Sequence, residues 1–367
     1  MKKIVVLFLL FFNVLSGQIY AHGVDDAFDR QTRESVEDAF EKAEVDFDAL
    51  EIIDKLNNGN FNIDYKNFSE YIKINVSKEF KGNFIFVLHI FVLITISALI
   101  ENVQASFKND GLVKLVVSCI VVLSLVNVTA EIAEYTIMII DRLILFINSL
   151  IPTLMTLLAT SGKIGTSGVL NPVMLGVSSV ISVVIKSFAV PLCIISLVLK
   201  LTGNITEKSH LTNFGNQVQK FLKWMLGIVF TIYVGIISIA GVVAPKVDDV
   251  TLKTAKYAVS SFIPYVGSMA ADSVDLILVC SSIVKNSVGL AGLIGIFVIV
   301  AIPCIKVAVK VIVINVLTVI VSPISNKTVT DSLNDVSSVL NILLGMNVVV
   351  SIMYILSLTV IIFIGGA

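Results

Sequence analysis

Charge is scarce in this sequence. Charged residues make up 14% of its 367 residues, against roughly 25% in an average soluble domain, whereas hydrophobic residues make up 56%. A chain with so few polar groups cannot cover its apolar surface in water, so the composition predicts a protein whose main solvent is lipid. The scarcity also argues against a nucleic-acid-binding face, because no cluster of Lys and Arg is interleaved with aromatic residues.

Residues that carry enzyme or metal chemistry are also few. The three histidines are far apart, HExxH and GxSxG motifs are absent, and Gly162-Lys163 is followed by isoleucine where a phosphate loop needs Ser or Thr. We therefore predict no enzyme, no cofactor and no nucleotide site. The cysteines lie in apolar stretches without CxxC spacing, which predicts packing residues rather than disulfides or metal ligands: Cys119, Cys193, Cys280 and Cys304.

The N-terminus has the pattern of an export signal. Residues 1–21 join Lys2 and Lys3 to an apolar stretch and end at a possible cleavage site, which predicts a signal peptide. Residues 22–82 should then lie outside the cytoplasm. This segment is acidic, and its apolar residues, among them Val36 and Phe40, recur at helical spacing. We expect a small helical segment that docks on the membrane body or on a partner.

Long uncharged windows follow from residue 83 onward. They predict an all-α, polytopic membrane protein with about seven transmembrane helices. Residues 131–162 are ambiguous, because Glu131, Glu134, Asp141 and Arg142 line one side of an apolar helix that could lie in the interface or line a polar interior. The predicted spans are 84–100, 115–130, 173–199, 225–244, 287–304, 311–322 and 347–364.

Two stretches of the membrane body resemble each other at an offset of 112 residues, in which Pro152 matches Pro264 and Pro191 matches Pro303. This echo suggests an internal duplication, and the four prolines are candidate helix breaks. The predicted organisation is a signal peptide at 1–21, the exported segment at 22–82, a first transmembrane hairpin at 83–130, and two membrane units at 131–244 and 245–367. Repeated units are common in transporters.

Charges within apolar stretches are the candidate functional residues. A charge in mid-membrane is costly, so Lys186 should face a polar interior or an oppositely charged neighbour, unless it lies near the interface and extends to water. The candidate group is Lys186, Asp141, Arg142, Asp272 and Asp275. A second set, Gly289, Gly292 and Gly295, shares one helical face and predicts close helix packing. A self-sufficient secondary transporter is the alternative, for which such charges and the prolines would form the binding site.

Two sequence blocks carry a family resemblance. The stretch from Ala258 to Gly267, AVSSFIPYVG, and the stretch from Ile151 to Ala159, IPTLMTLLA, resemble the stage III sporulation protein AE family of endospore-forming bacteria. Asp272-Ser273-Val274-Asp275 and Lys285-Asn286-Ser287-Val288-Gly289 are also similar to family positions.

The resemblance implies a role in sporulation. It implies a non-enzymatic subunit of a channel, or feeding apparatus, in the mother-cell membrane that surrounds the forespore. The implied partners are the other stage III proteins, including the ATPase-like protein AA, and stage II protein Q on the forespore side. The ATPase-like protein would supply the nucleotide site that this sequence lacks, and membrane subunits of secretion systems are similar in architecture only.

Orientation gives a first testable prediction. Residues 200–223 hold Lys200, Lys208, Lys220 and Lys223 against Glu207, so the positive-inside rule places this segment in the cytoplasm. A cysteine introduced at Asn213 should therefore be protected from an impermeant maleimide in intact cells and labelled in inverted membranes. Strong labelling in intact cells would reverse the orientation.

Overall fold

The computed structural model describes residues 30–43, 111–206, 208–262, 267–323 and 327–366, together with Ser325 and single residues between 77 and 96. Within the helices, the side chains of residues 246–286 and of a few others are left undescribed. The described residues form α-helices, with one π-helical turn, Val184–Ala189, between α3 and α4. The helices are α1 Arg30–Lys42, α2 Gly111–Thr160, α3 Ile164–Val183, α4 Val190–Ile205, α5 Ser209–Phe262, α6 Gly267–Val321 and α7 Lys327–Gly366.

Five segments within the described residues are long and apolar enough to cross a bilayer, when α3, the π turn and α4 are counted as one rod. This confirms an all-α, polytopic membrane protein. The predicted span at 84–100 lies mostly outside the described residues, as do residues 1–29 with the expected signal peptide. The five segments are Ser118–Thr160, Ile164–Ile205, Ser209–Pro245, Ser287–Val321 and Lys327–Ile364.

One pair of predicted spans is wrong. The windows 287–304 and 311–322 belong to one continuous helix, α6, so they cannot be two successive crossings. The predicted span 115–130 and most of the ambiguous stretch 131–162 lie on one helix, α2. Lys306 and Lys310, the charged residues between these two windows, contact polar partners on α2, and the helix continues through them without a break.

A glycine ends α2 and turns the chain into α3. Gly162 has φ 80°, a left-handed conformation that glycine adopts without steric cost. Its N–H bonds to the carbonyl of Ala159 at 3.0 Å, and the N–H of Lys163 bonds to Leu158 at 3.1 Å, which is the Schellman pattern. The ammonium of Lys163 then donates to the carbonyl of Ile364 at 2.5 Å. Gly162-Lys163 is therefore a helix terminus that holds the end of α7.

Helices α2 and α7 lie at the centre of the bundle, and α6 packs against both. The three glycines of α6 face this contact. A Cβ at Gly289 would meet Ile362, one at Gly292 would meet Leu150 and Leu358, and one at Gly295 would meet the rings of Phe146 and Phe40. The absence of side chains on this face lets the backbone of α6 approach its neighbours closely.

Helix α1 docks on the outer surface of this core. Its buried face consists of Val36, Ala39, Phe40 and Ala43, the pattern that the sequence predicts. The Phe40 ring packs edge to face on Phe146 of α2, with centroids 5.0 Å apart. The part of the N-terminal segment that the structure describes is thus a helix bound to the membrane body.

Among the described residues, each of the five long rods has an uncharged segment, and these segments overlap in one layer of the bundle. The segments are 143–160, 164–185, 224–245, 286–305 and 336–366. Their alignment follows from contacts such as that between Ser178 and Tyr354, 3.2 Å, and that between Tyr233 and Ser357, 2.6 Å. The shortest segment has a length of ~27 Å at ~1.5 Å per residue, close to the hydrocarbon thickness of a bilayer. We call these five segments the charge-free layer.

Helix α1 and the lysines of early α5 lie at the same end of this layer. Phe40 contacts Phe146, close to Asp141 and Arg142, where the layer begins on α2, and Lys223 directly precedes the layer on α5. The sequence predicts opposite sides of the membrane for the N-terminal segment and for residues 200–223. Because the structure places both segments at the same end of the layer, only one of these two predictions can be correct. Labelling at Asn213 decides which one.

The candidate helix breaks have different surroundings. Pro152 lies inside α2 and Pro303 inside α6, and neither helix ends there. Pro191 directly follows the π turn, at the start of α4. Pro264 lies outside the described residues. Because the match of Pro152 with Pro264 is outside the description, the duplication and the five domain boundaries remain predictions.

Glycine-dependent packing gives the second prediction. Gly295→Ala should place a methyl group against the rings of Phe146 and Phe40 and lower stability by about 1–3 kcal/mol. Gly176→Ala on α3, where no atom lies within 4 Å of the added carbon, is the matched control and should leave stability unchanged or slightly higher. Thermal unfolding in detergent measures both, and equal midpoints for the two variants would contradict the packing role.

Candidate functional site

The structure brings Lys186 and Asp141 together. The ammonium of Lys186, on the π turn, forms an ion pair with the Asp141 carboxylate on α2. Both side chains are partly exposed, at 30% and 44%. Of the other residues grouped with them by sequence, Arg142 is the next residue on α2, whereas the side chains of Asp272 and Asp275 lie outside the description.

The π turn determines where Lys186 points. The N–H of Val190 reaches back five residues to the carbonyl of Ile185, which widens the helix over Val184–Ala189. Pro191 follows and brings no N–H, so it cannot donate to an earlier carbonyl as an ordinary residue would. A wide turn relieves the clash that its ring would make in a regular helix. Such π turns recur at functional sites because they redirect individual side chains.

Further charges continue this site across α2 and α6. The ammonium of Lys310 lies 2.7 Å from the Glu131 carboxylate, and Lys310 itself is almost fully buried. One helical turn away, Lys306 donates to the hydroxyl of Tyr135 and lies 3.8 Å from the centroid of its ring. We call the residues of these contacts the charge belt: Lys186, Asp141, Lys310, Glu131, Lys306 and Tyr135.

An open depression adjoins the charge belt between α1 and α2. Its volume is about 440 Å³, and its charged lining consists of Lys42, Glu134, Asp141 and Arg142. The apolar side chains of Ile137, Met138 and Leu145 complete it. Charges of both signs from two helices therefore meet at one surface, beside the ion pair of Lys186.

A third ion pair lies between α4 and α7, and sequence reasoning missed it. The ammonium of Lys200 on α4 lies 2.6 Å from the Asp335 carboxylate on α7, with side-chain exposures of 6% and 13%. Asn204 donates to the same carboxylate at 2.9 Å. Lys200 is thus a buried helix residue and not part of a solvated loop. It should not have been counted for the positive-inside rule. The other lysines of residues 200–223 are exposed.

Neutral polar contacts extend along α7 through the charge-free layer. Tyr354 bonds to Ser178 of α3, and the hydroxyl of Tyr233 on α5 contacts Ser357 and donates to the carbonyl of Met353. Asn347 is fully buried, and its amide donates to Thr136 at 3.4 Å. In a lipid-embedded bundle such contacts satisfy polar groups that have no water to bind. These contacts join helices inside the bundle. Partly exposed charged side chains are found instead in the charge belt, at Lys186, Asp141 and Glu131.

Comparisons with known proteins agree with one another. A family model described as Stage III sporulation protein AE matches residues 47–365. Stage III sporulation protein AE of Bacillus subtilis (strain 168) is 30% identical over 279 residues, which cover 75% of this chain and 70% of the relative. No solved structure matches this chain.

The buried pair gives the third prediction. Lys200→Met should leave Asp335 unpaired in an apolar interior and destabilise the fold by about 3–5 kcal/mol. Adding Asp335→Asn should restore most of that loss, because the neutral amide still bonds to Asn204. The control is Lys208→Met, an exposed lysine beyond the same helix end, which should change little. Unfolding in detergent measures all three, and a double variant as unstable as the single one would contradict the pairing.

Proposed function

The chain belongs to the stage III sporulation protein AE family, and from this premise we propose that it is an integral membrane subunit of the channel between mother cell and forespore. It acts by assembly and not by catalysis. The proposed site is the mother-cell membrane that surrounds the forespore after engulfment. Membership of the family supports a role in sporulation. The proposal of a channel subunit rests in addition on the arrangement of charged residues on the apolar bundle.

The observation that carries the proposal is the charge belt on an otherwise apolar bundle. The long helices expose large apolar side chains such as Ile232, Ile239 and Val242, as expected for a surface that meets lipid or other membrane subunits. The belt interrupts that surface with Lys186, Asp141 and the open depression beside α1. A subunit of a larger complex needs both features, an apolar body for the membrane and a polar surface for partners.

Partners of two kinds follow from this proposal. The ATPase-like stage III protein AA would supply the nucleotide chemistry, and stage II protein Q would meet the complex across the intermembrane space. Helix α1 and the depression are the surface that we assign to protein contacts, because they combine charges of both signs with apolar side chains. Affinity isolation from sporulating cells, with Asp38→Lys on exposed α1 as a comparison, tests whether this surface holds partners.

A secondary transporter is the second candidate, favoured by the π turn next to Pro191, since transporters use broken helices at their binding sites. Such sites lie near the bilayer midplane. Lys186 and Asp141 instead lie at one end of the charge-free layer, close to where water begins. This position fits a contact surface better than a midplane binding site.

The fourth prediction tests the ion pair in cells. Lys186→Ala should insert normally and lower the yield of heat-resistant spores by about tenfold, because weakening one partner contact by ~1.4 kcal/mol lowers its affinity tenfold. The exchanged pair, Lys186→Asp with Asp141→Lys, should recover part of the yield, whereas either change alone should not. Lys327→Ala removes an exposed lysine elsewhere and serves as the control. Normal spore yield from correctly inserted Lys186→Ala protein would remove the pair from the proposal.

A further inference from the structure

Two lysines and two aromatic residues form an exposed patch on α5. Lys220 and Lys223 are exposed, as are Phe221 at 49% and Trp224 at 64%. The two rings lie together, with centroids 6.2 Å apart. Trp224 is the single tryptophan of the whole chain. We call these four residues the lysine–aromatic patch.

The patch lies where α5 enters the charge-free layer. Lys223 is the last charged residue before the uncharged segment 224–245. Beyond the patch, α5 exposes Ile232, Ile239 and Val242 at 58%, 66% and 62%. On α2 and α6 the uncharged segments end near the charge belt. The patch and the belt therefore lie at the same end of the charge-free layer.

The apolar part of α5 is less buried than that of the other rods. In its apolar window 22% of residues are buried, against 39–59% in the other four spans. A helix that presents most of its surface outward has little interior contact to fix its depth in the membrane. Anchors at the interface supply that constraint in membrane helices.

We propose that the lysine–aromatic patch binds the headgroups of anionic phospholipids and fixes the depth at which α5 crosses the bilayer. The indole and phenyl rings lie at the headgroup level, where one edge meets acyl chains and the other meets water. The ammonium groups of Lys220 and Lys223 lie beside them and attract lipid phosphates. The charge belt is thereby held at the membrane surface, where Lys186 and Asp141 remain within reach of partners.

The single tryptophan allows a direct test on the full-length protein. The protein is reconstituted in phosphatidylcholine vesicles that contain lipids brominated either near the headgroup end or near the methyl end of the acyl chain. Trp224 fluorescence should be quenched more strongly by the shallow bromines. The depth control is Trp224→Phe combined with Ile232→Trp, which moves the probe ~12 Å along the helix and should reverse the order of quenching.

The lysines are tested with a second set of vesicles. Brominated phosphatidylglycerol should quench Trp224 as if enriched about fivefold or more around the patch, relative to brominated phosphatidylcholine. Lys220→Gln with Lys223→Gln should abolish that preference. Lys208→Gln with Lys327→Gln removes two exposed lysines outside the patch and should leave the preference unchanged.

Three results would overturn the proposal. Stronger quenching by deep bromines would place Trp224 in the acyl core. Absence of quenching by both lipids would mean that protein or water surrounds the patch. An unchanged phosphatidylglycerol preference in the double glutamine variant would show that the two lysines do not bind the headgroups. None of these readouts depends on spore formation, so they leave the proposed channel role untouched.

Discussion

Three ion pairs at or beyond one end of the charge-free layer set the register of the helices. Lys200 and Lys310 are buried, so loss of a partner would leave a buried charge unpaired, which costs about 3–5 kcal/mol. Lys186 with Asp141, Lys310 with Glu131, and Lys200 with Asp335 join three pairs of rods. A slip of one helical turn, ~5.4 Å, would separate each pair, so alternative alignments of these helices are disfavoured. The packing described above depends on this alignment.

Close packing follows once the register is set. The glycines of α6 fit their neighbours only when Gly292 lies opposite Leu150 and Leu358, and Gly295 opposite Phe146. That same alignment leaves Phe146 available to the Phe40 ring, through which α1 binds. Docking of the N-terminal helix is therefore a consequence of how α2 and α6 meet. The charges around the docked helix then form the surface on which the proposed function depends.

Local patterns in the sequence predicted part of the fold and of the candidate site. The spacing of Val36 and Phe40 predicts α1, and the cost of a charge in lipid is the reason to expect a partner for Lys186. The burial of Lys200 could not be predicted in this way, because a count of lysines along the chain does not separate loop residues from residues at a buried helix end. Its partner, Asp335, lies on a helix far away in the sequence. The partners of Lys306 and Lys310 on α2 are likewise far away in the sequence, so only the folded structure reveals these contacts. The π turn was not predicted either: the sequence marks Pro191 as a candidate helix break, whereas the structure has a widened turn before it and a helix that continues.

The central position of α7 has a consequence for biogenesis. This helix contacts α2, α4, α5 and α6, yet it is the last described helix to leave the ribosome. Until it inserts, Lys200 has no carboxylate from Asp335, and Lys163 has no carbonyl from Ile364. We therefore expect the earlier helices to remain incompletely packed until α7 inserts. A chain truncated before Lys327 should expose apolar and polar surfaces that α7 covers in the complete bundle.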